Sequence, residues 1–231
     1  MEGAVGDRVR ESIRRSLVLA AVAAATSVGA AVPAGASPAS APIDSLLIQA
    51  SAVGKGLTRS TYEGGRSLSR STVGGLCAYR SVTDALRTRR VQVRFVPQHA
   101  LKTQALLSQE VAIYVPHGAG AALDEVRALE RLCTKKTTIY FGKANHKGSE
   151  QLTPFIIPGL PDAVAMSDHL VRPKYDGVPA ADRHDVFIYQ VHGDTMTAIY
   201  AFGRGTATLA SLTALASRAA TAAHAKLLAH A

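Results

Sequence analysis

The sequence predicts an α+β fold: a largely antiparallel sheet with two or three helices packed on it and one disulfide. Three observations lead there. Residues 186–191 and 195–202 are rich in β-branched and aromatic side chains, and His192-Gly193-Asp194 between them suits a tight hairpin. After Gly203-Arg204-Gly205 the period changes, and Leu209, Leu212, Ala216, Ala219, Ala223 and Leu227 fall along one face of a helix. The chain as a whole runs helix, strands, helix, strands, helix, an order that favours sheet and helices in separate layers.

From the N-terminus, Arg8, Arg10, Arg14 and Arg15 form a positive start and 17–32 is an almost uninterrupted run of small apolar residues. Ala34-Gly35-Ala36 then offers a cleavage site, so residues 1–36 read as a signal peptide. Cutting instead after Ala39-Ser40-Ala41 would leave Pro42 first, which disfavours that site. The apolar run, about 16 residues, is short for a bilayer span. The expectation is a secreted or extracytoplasmic protein of the cell envelope with no transmembrane segment once the leader is removed.

Residues 37–43 are a flexible Ser/Pro/Ala lead-in, and 44–231 are expected to form a single domain. Asp44 can cap a short helix that ends at Gly54. The stretch 54–75 is polar and Gly/Ser-rich, a loop with one irregular strand, and 76–81 around Cys77 reads as extended. Residues 90–96 and 106–115 alternate as half-buried strands do, with Val111, Ile113 and Val115 on one face. A helix over about 119–133 would turn Ala122, Val126, Leu129 and Cys133 inward and Asp124, Glu125, Arg127, Glu130 and Arg131 to water. Residues 137–141 are a short strand and 142–151 a polar loop. The proline-rich 154–161 reads as an edge strand or ordered loop. Residues 163–167 and 169–171 are strand, and 172–183 connect to the hairpin.

Composition narrows the chemistry. With 47% hydrophobic but only 5% aromatic residues and no Trp, the core must rely on aliphatic packing. The formal charge of +9 favours anionic partners. Its short basic runs are not interleaved with aromatics, and no zinc-finger or helix-turn-helix pattern accompanies them, which argues against nucleic acid. The eight His residues show no HExxH or close His/Cys pairing, so neither a metal nor a cofactor is expected. His192 and Asp194 could be assembled into a hydrolase site, but there is no GxSxG elbow, and turns collect such residues for conformational reasons. In an oxidising compartment Cys77 and Cys133 are most simply one disulfide. Closing so long a loop stabilises a fold by about 4 kcal/mol in the chain-entropy model.

The leader, the Leu46-Leu47 helix, Cys77, the amphipathic helix ending in Cys133 and the closing hairpin with its Ala-rich helix together resemble the secreted sensor-domain proteins of actinobacteria. In this they are similar to the extracellular domain of PknH-type receptor kinases. The resemblance covers about residues 44–229 and lies in pattern. It implies an antiparallel sheet with packed helices and a cleft for a small ligand, with no enzymatic activity. That kinase sensor carries two disulfides, whereas this chain has one cysteine pair. The expected function is therefore a secreted non-enzymatic domain that binds a small or lipid-like ligand, or an envelope component, between sheet and helices. Phe155, Ile157, Tyr189 and Tyr200 are the candidate lining, with Arg94 or Arg204 for an acidic head group. A secreted hydrolase and a module for anionic cell-wall polymer are the alternatives.

Overall fold

Eight antiparallel strands form one sheet in the order β1-β2-β3-β8-β7-β6-β5-β4 in the computed structural model, which describes residues 42–71, 76–79, 81–98, 106–203 and 207–230. The strands are β1 (Leu57–Thr61), β2 (Arg87–Pro97), β3 (Leu107–Tyr114), β4 (Thr137–Phe141), β5 (His146–Phe155), β6 (Val164–Arg172), β7 (Ala181–His192) and β8 (Thr195–Phe202). Three α-helices accompany them: α1 (Ala50–Val53), α2 (Gly118–Leu132) and α3 (Leu209–Leu228). The expected leader, 1–36, and Arg204 lie outside the described residues. No helix among the described residues is long and apolar enough to cross a membrane.

The closing hairpin sets the sheet's register. His192 pairs with Thr195, leaving Gly193 and Asp194 as a two-residue loop, and Gly193 takes the positive φ of 56° that such a turn needs. Asp194 also reaches across the molecule, its Oδ1 accepting the His117 N–H at 2.8 Å just before α2. Helix α3 starts on a capping box between Thr208 and Ser211. Its buried stripe is Leu212, Ala216, Ala219, Ala220, Ala223 and Leu227, and the small alanines let the helix lie close on β7 and β8. Leu209, expected on that stripe, is 37% exposed at the helix start.

Because side chains alternate along a strand, the sheet has two different faces. One carries Val91, Val93, Phe95, Val111, Val186, Ile188 and Ile199 beneath α3 and the 43–53 segment. The other carries Ala112, Leu152, Met166, Phe187, Tyr189 and Ala198, with α2 packed on part of it.

The structure departs from the sequence expectations elsewhere too. The helix expected from Asp44 to Gly54 is a 3-10 turn (Ile43–Leu46) followed by α1, with Pro42 and Gln49 at the caps in place of Asp44. The stretch around Cys77 is a 3-10 turn (Leu76–Ala78), not extended: Cys77 sits at φ 53°, disulfide-bonded to Cys133, and its N–H donates to Glu150 Oε2 at 2.6 Å. Two tethers on one residue override local preference. The polar run from His146 is strand β5, because ladder hydrogen bonds with β4 and β6 do not require apolar side chains. The two pieces proposed on either side of Asp168 are one strand, β6. Glu125, assigned to the wet face of α2, is 8% exposed. Its carboxylate accepts the N–H groups of Val82 and Thr83 and the hydroxyls of Tyr79, Ser81 and Thr83, so it holds Tyr79 and residues 81–83 against the helix. Burial alone would raise the Glu125 pKa, but the bonds from Thr83, Val82 and Ser81 prevail and hold it below the usual value.

Candidate functional site

Helix α2 leaves part of its face of the sheet uncovered, and there a cavity of about 560 Å³ opens between the sheet and the segment that joins β1 to β2. Tyr62, Arg70 and Leu76 from that segment form the wall. The floor comes from strands β2 to β8, each contributing residues of one parity.

Two arginines on β2 hold the wall to the floor. Arg90 grips Glu110 of β3 in a two-pronged pair, Nε to Oε1 and Nη2 to Oε2, both at 2.9 Å, and its Nη1 donates to the Gly65 carbonyl at 2.9 Å. Arg87 donates to the carbonyls of Leu68 and Arg70, at 2.8 and 2.5 Å, and pairs with Glu110 at 3.4 Å. The Tyr200 hydroxyl donates to Glu110 Oε2 at 3.2 Å, and Gln92 links Arg90 to Ser108. Burial is the first cause that raises the Tyr200 pKa, with the Glu110 charge second. Here every prong of the buried ions has a partner, which is the condition under which such a network is tolerated in a low dielectric. Gly65 belongs to the same stitch: a Cβ there would stand 2.5 Å from the Gln92 carbonyl.

The other end of the floor is acidic. Asp168 of β6 lies directly opposite Asp185 of β7, and Phe202 of β8 is the next residue across. Glu150 of β5 completes the group and is hydrogen-bonded to Asp168. Asp185 is well supplied: Arg183 Nε donates to its Oδ2 at 2.9 Å and the Gly203 N–H to its Oδ1 at 2.8 Å. Asp168 is 3% exposed, and its Oδ1 has no hydrogen-bond partner among the described residues. Burial, then the charges of Glu150 and Asp185, push its carboxyl up to about 8 from an ordinary value of 3.8. Burial likewise raises Glu150. Like charges directly opposite on a sheet are destabilising, and a raised Asp168 carboxyl that keeps its proton at neutral pH avoids that repulsion.

Aromatic rings stand beside the acids. Phe187 and Tyr200 meet edge to face at 5.9 Å, and Tyr189 meets Tyr200 at 6.0 Å. Tyr189 is fully buried, and its hydroxyl has no partner among the described residues.

Of the candidate lining, then, Tyr189 and Tyr200 are brought together in the cavity. Phe155 and Ile157 pack with the core beneath α3, on the opposite face. Arg94 lies over the Tyr62 ring at 5.1 Å, on the cavity's wall side. The proposed disulfide, Cys77 with Cys133, is present and ties the turn at the cavity wall to the end of α2. His192 and Asp194 lie at the hairpin, where the Asp194 carboxylate bonds the His117 backbone. Among the described residues no three His, Cys, Asp or Glu side chains are placed to hold a metal.

No family model matches the chain, and no curated protein matches its sequence. Among solved structures, the extracellular domain of PknH from Mycobacterium tuberculosis superposes with a TM-score of 0.50 at 11% identity, over 79% of this chain and 94% of that one. The likeness is one of fold. It supports similarity to PknH-type sensor domains, in keeping with the resemblance read from the sequence. Protein Ms6760 from Mycobacterium smegmatis matches over 57% of this chain at 16% identity with a TM-score of 0.25.

The acidic group was missed from sequence although a signal existed. Asp168 stands between Met166 and Leu170 on one face of β6, at the gap between the two strand pieces expected from sequence. A charge at the buried parity of a strand is the pattern that marks such a site.

Proposed function

We propose that this chain is an exported, non-enzymatic sensor-like domain that binds a small ligand in the cavity between the sheet and the wall of Tyr62, Arg70, Ser71 and Leu76. The observation that carries this reading is the combination of volume and unmet polar capacity. A cavity of about 560 Å³ lies within the usual size of small-molecule sites, and among its lining residues Asp168 and Tyr189 each carry a buried oxygen without a partner among the described residues. Buried polar groups without partners are costly, and a site kept for a ligand is one reason to retain them. Tyr200, Phe187 and Phe202 would supply the apolar contact. The N-terminal leader pattern and the PknH-like fold support a place outside the cytoplasm, and the stitched arginines support a wall that is preformed.

The test is native mass spectrometry of the protein purified from its own host, beside the denatured mass of the same sample. A start at Ser37 and an adduct that disappears on denaturation are the expected result. A clean apo mass, with no binding from an extract of the host envelope, would sink the reading.

A further inference from the structure

Resting on the cavity as the ligand site, we propose that its ligand is an organic cation, a primary ammonium compound with an apolar body, whose charged end sits among Glu150, Asp168 and Asp185. The charges at the acidic end of the cavity decide the sign. The guanidiniums there and on β2 are committed, Arg90 and Arg87 to Glu110 and the wall carbonyls and Arg183 to Asp185, while Arg70 stands on the wall over the Tyr62 ring at 5.8 Å. Of the anions, Asp185 holds Arg183 and the Gly203 N–H and Glu150 holds the Cys77 N–H, which leaves Asp168. Three carboxyl groups face one another across β5, β6 and β7 with Arg183 as the guanidinium bonded among them, and Asp168 keeps an oxygen without a partner at 3% exposure.

An ammonium group fits this vacancy in acceptors. It brings three donors, which can meet the Asp168 Oδ1 and Glu150, and its charge offsets the repulsion from Asp185 that Asp168 meets once it is ionised. Phe202 stands directly across from Asp185, and Phe187 is two residues further along β7 on the same face. Aromatic faces beside carboxylates are a setting for an organic cation, through cation–π attraction and apolar contact with the carbon body. A bare metal ion fits less well, since no three ligating side chains converge on one point among the described residues. An anionic ligand at this end of the cavity would face three acids, where Arg183 is already bonded to Asp185.

Protonation of Asp168 gives the inference a second signature. The charged groups facing it are Glu150 from β5 and Asp185 and Arg183 from β7. With its carboxyl titrating near 8, a cation binding at neutral pH must displace a proton, so affinity for an amine rises as pH increases from 6 to 8.5.

The experiment is calorimetric titration of the mature protein with three matched probes: phenethylamine, the neutral 2-phenylethanol and the anionic 3-phenylpropionate. Phenethylamine is expected to bind at least tenfold more tightly than either of the others, more tightly at pH 8.5 than at pH 6, and at least tenfold more weakly to Asp168→Asn. Glu150→Gln, which keeps an acceptor for the Cys77 N–H, serves as the second variant and is expected to weaken the amine likewise. Equal or tighter binding of the neutral or anionic probe, or an amine affinity indifferent to both substitutions, overturns the cation and leaves the cavity reading standing. If no probe binds, the cation proposal fails; if the host-purified protein also carries no cargo, the cavity reading fails with it.

Discussion

The two faces of the sheet solve opposite problems with the same strands. Under α3 the residues are Val, Ile, Leu, Ala and Phe95, and the buried amides of that face bond to groups beside them: Gln109 to Ile48, Leu46 and the Thr197 hydroxyl, and Gln190 Nε2 to the Ala220 carbonyl, with Gln190 Oε1 left without a partner among the described residues. On the cavity face, Arg87, Arg90, Glu110, Glu150, Asp168 and Asp185 are all buried. One face is dry and closes on itself, and the other keeps charge out of water at a cost. Stability is concentrated on the first and chemistry on the second.

The strongest way to break that contrast is Glu110→Ala. It would leave the Arg87 and Arg90 guanidiniums buried without their shared anion, and denaturant unfolding should show a loss of about 3–5 kcal/mol. A loss under about 1 kcal/mol would mean that the wall of the cavity stands without the ionic stitch. On the dry face, Ile188→Ala should cost about 2–5 kcal/mol through a cavity beneath α3, read by the same titration, with amine binding untouched.

The smallest effect has the opposite sign and depends on pH. Asp168 has a folded-state value near 8 against 3.8 in the free carboxyl, so its proton favours the folded state. That contribution is full below pH 3.8 and is lost as pH rises through 8. Asp168→Asn should therefore match the parent near pH 3.5 and exceed it at pH 9, by on the order of 1–3 kcal/mol, in thermal unfolding followed across that range. A variant that is less stable at pH 9 would show that the carboxylate is held by partners rather than strained.

The dry face was readable in advance and the cavity face was not. Periodicity marks a stripe such as Leu212 to Leu227 because burial there follows one rule, apolar inward. The cysteine pair and the closing hairpin were equally plain, each being a local or pairwise signal. The cavity breaks the rule: Glu150, Asp168 and Asp185 stand at buried parity, separated by whole strands, and only the register brings them side by side. Tyr189 and Tyr200 were found as aromatic members of the hairpin, while Phe155 and Ile157, chosen for the same aromatic and aliphatic character, sit on the other face. Composition identifies what can line a cavity, and parity decides which residues do.

Asp185 joins the two faces in one further way. Its Oδ1 takes the Gly203 N–H just where the chain leaves β8 on its way to α3, and a Cβ at position 203 would lie 2.0 Å from the His184 carbonyl. For anyone diversifying this scaffold, positions 185 and 203 are thus a fixed pair. Mutational libraries that vary the cavity lining should randomise 150 and 168 and leave that pair as it is, since a side chain at 203 would meet the His184 backbone.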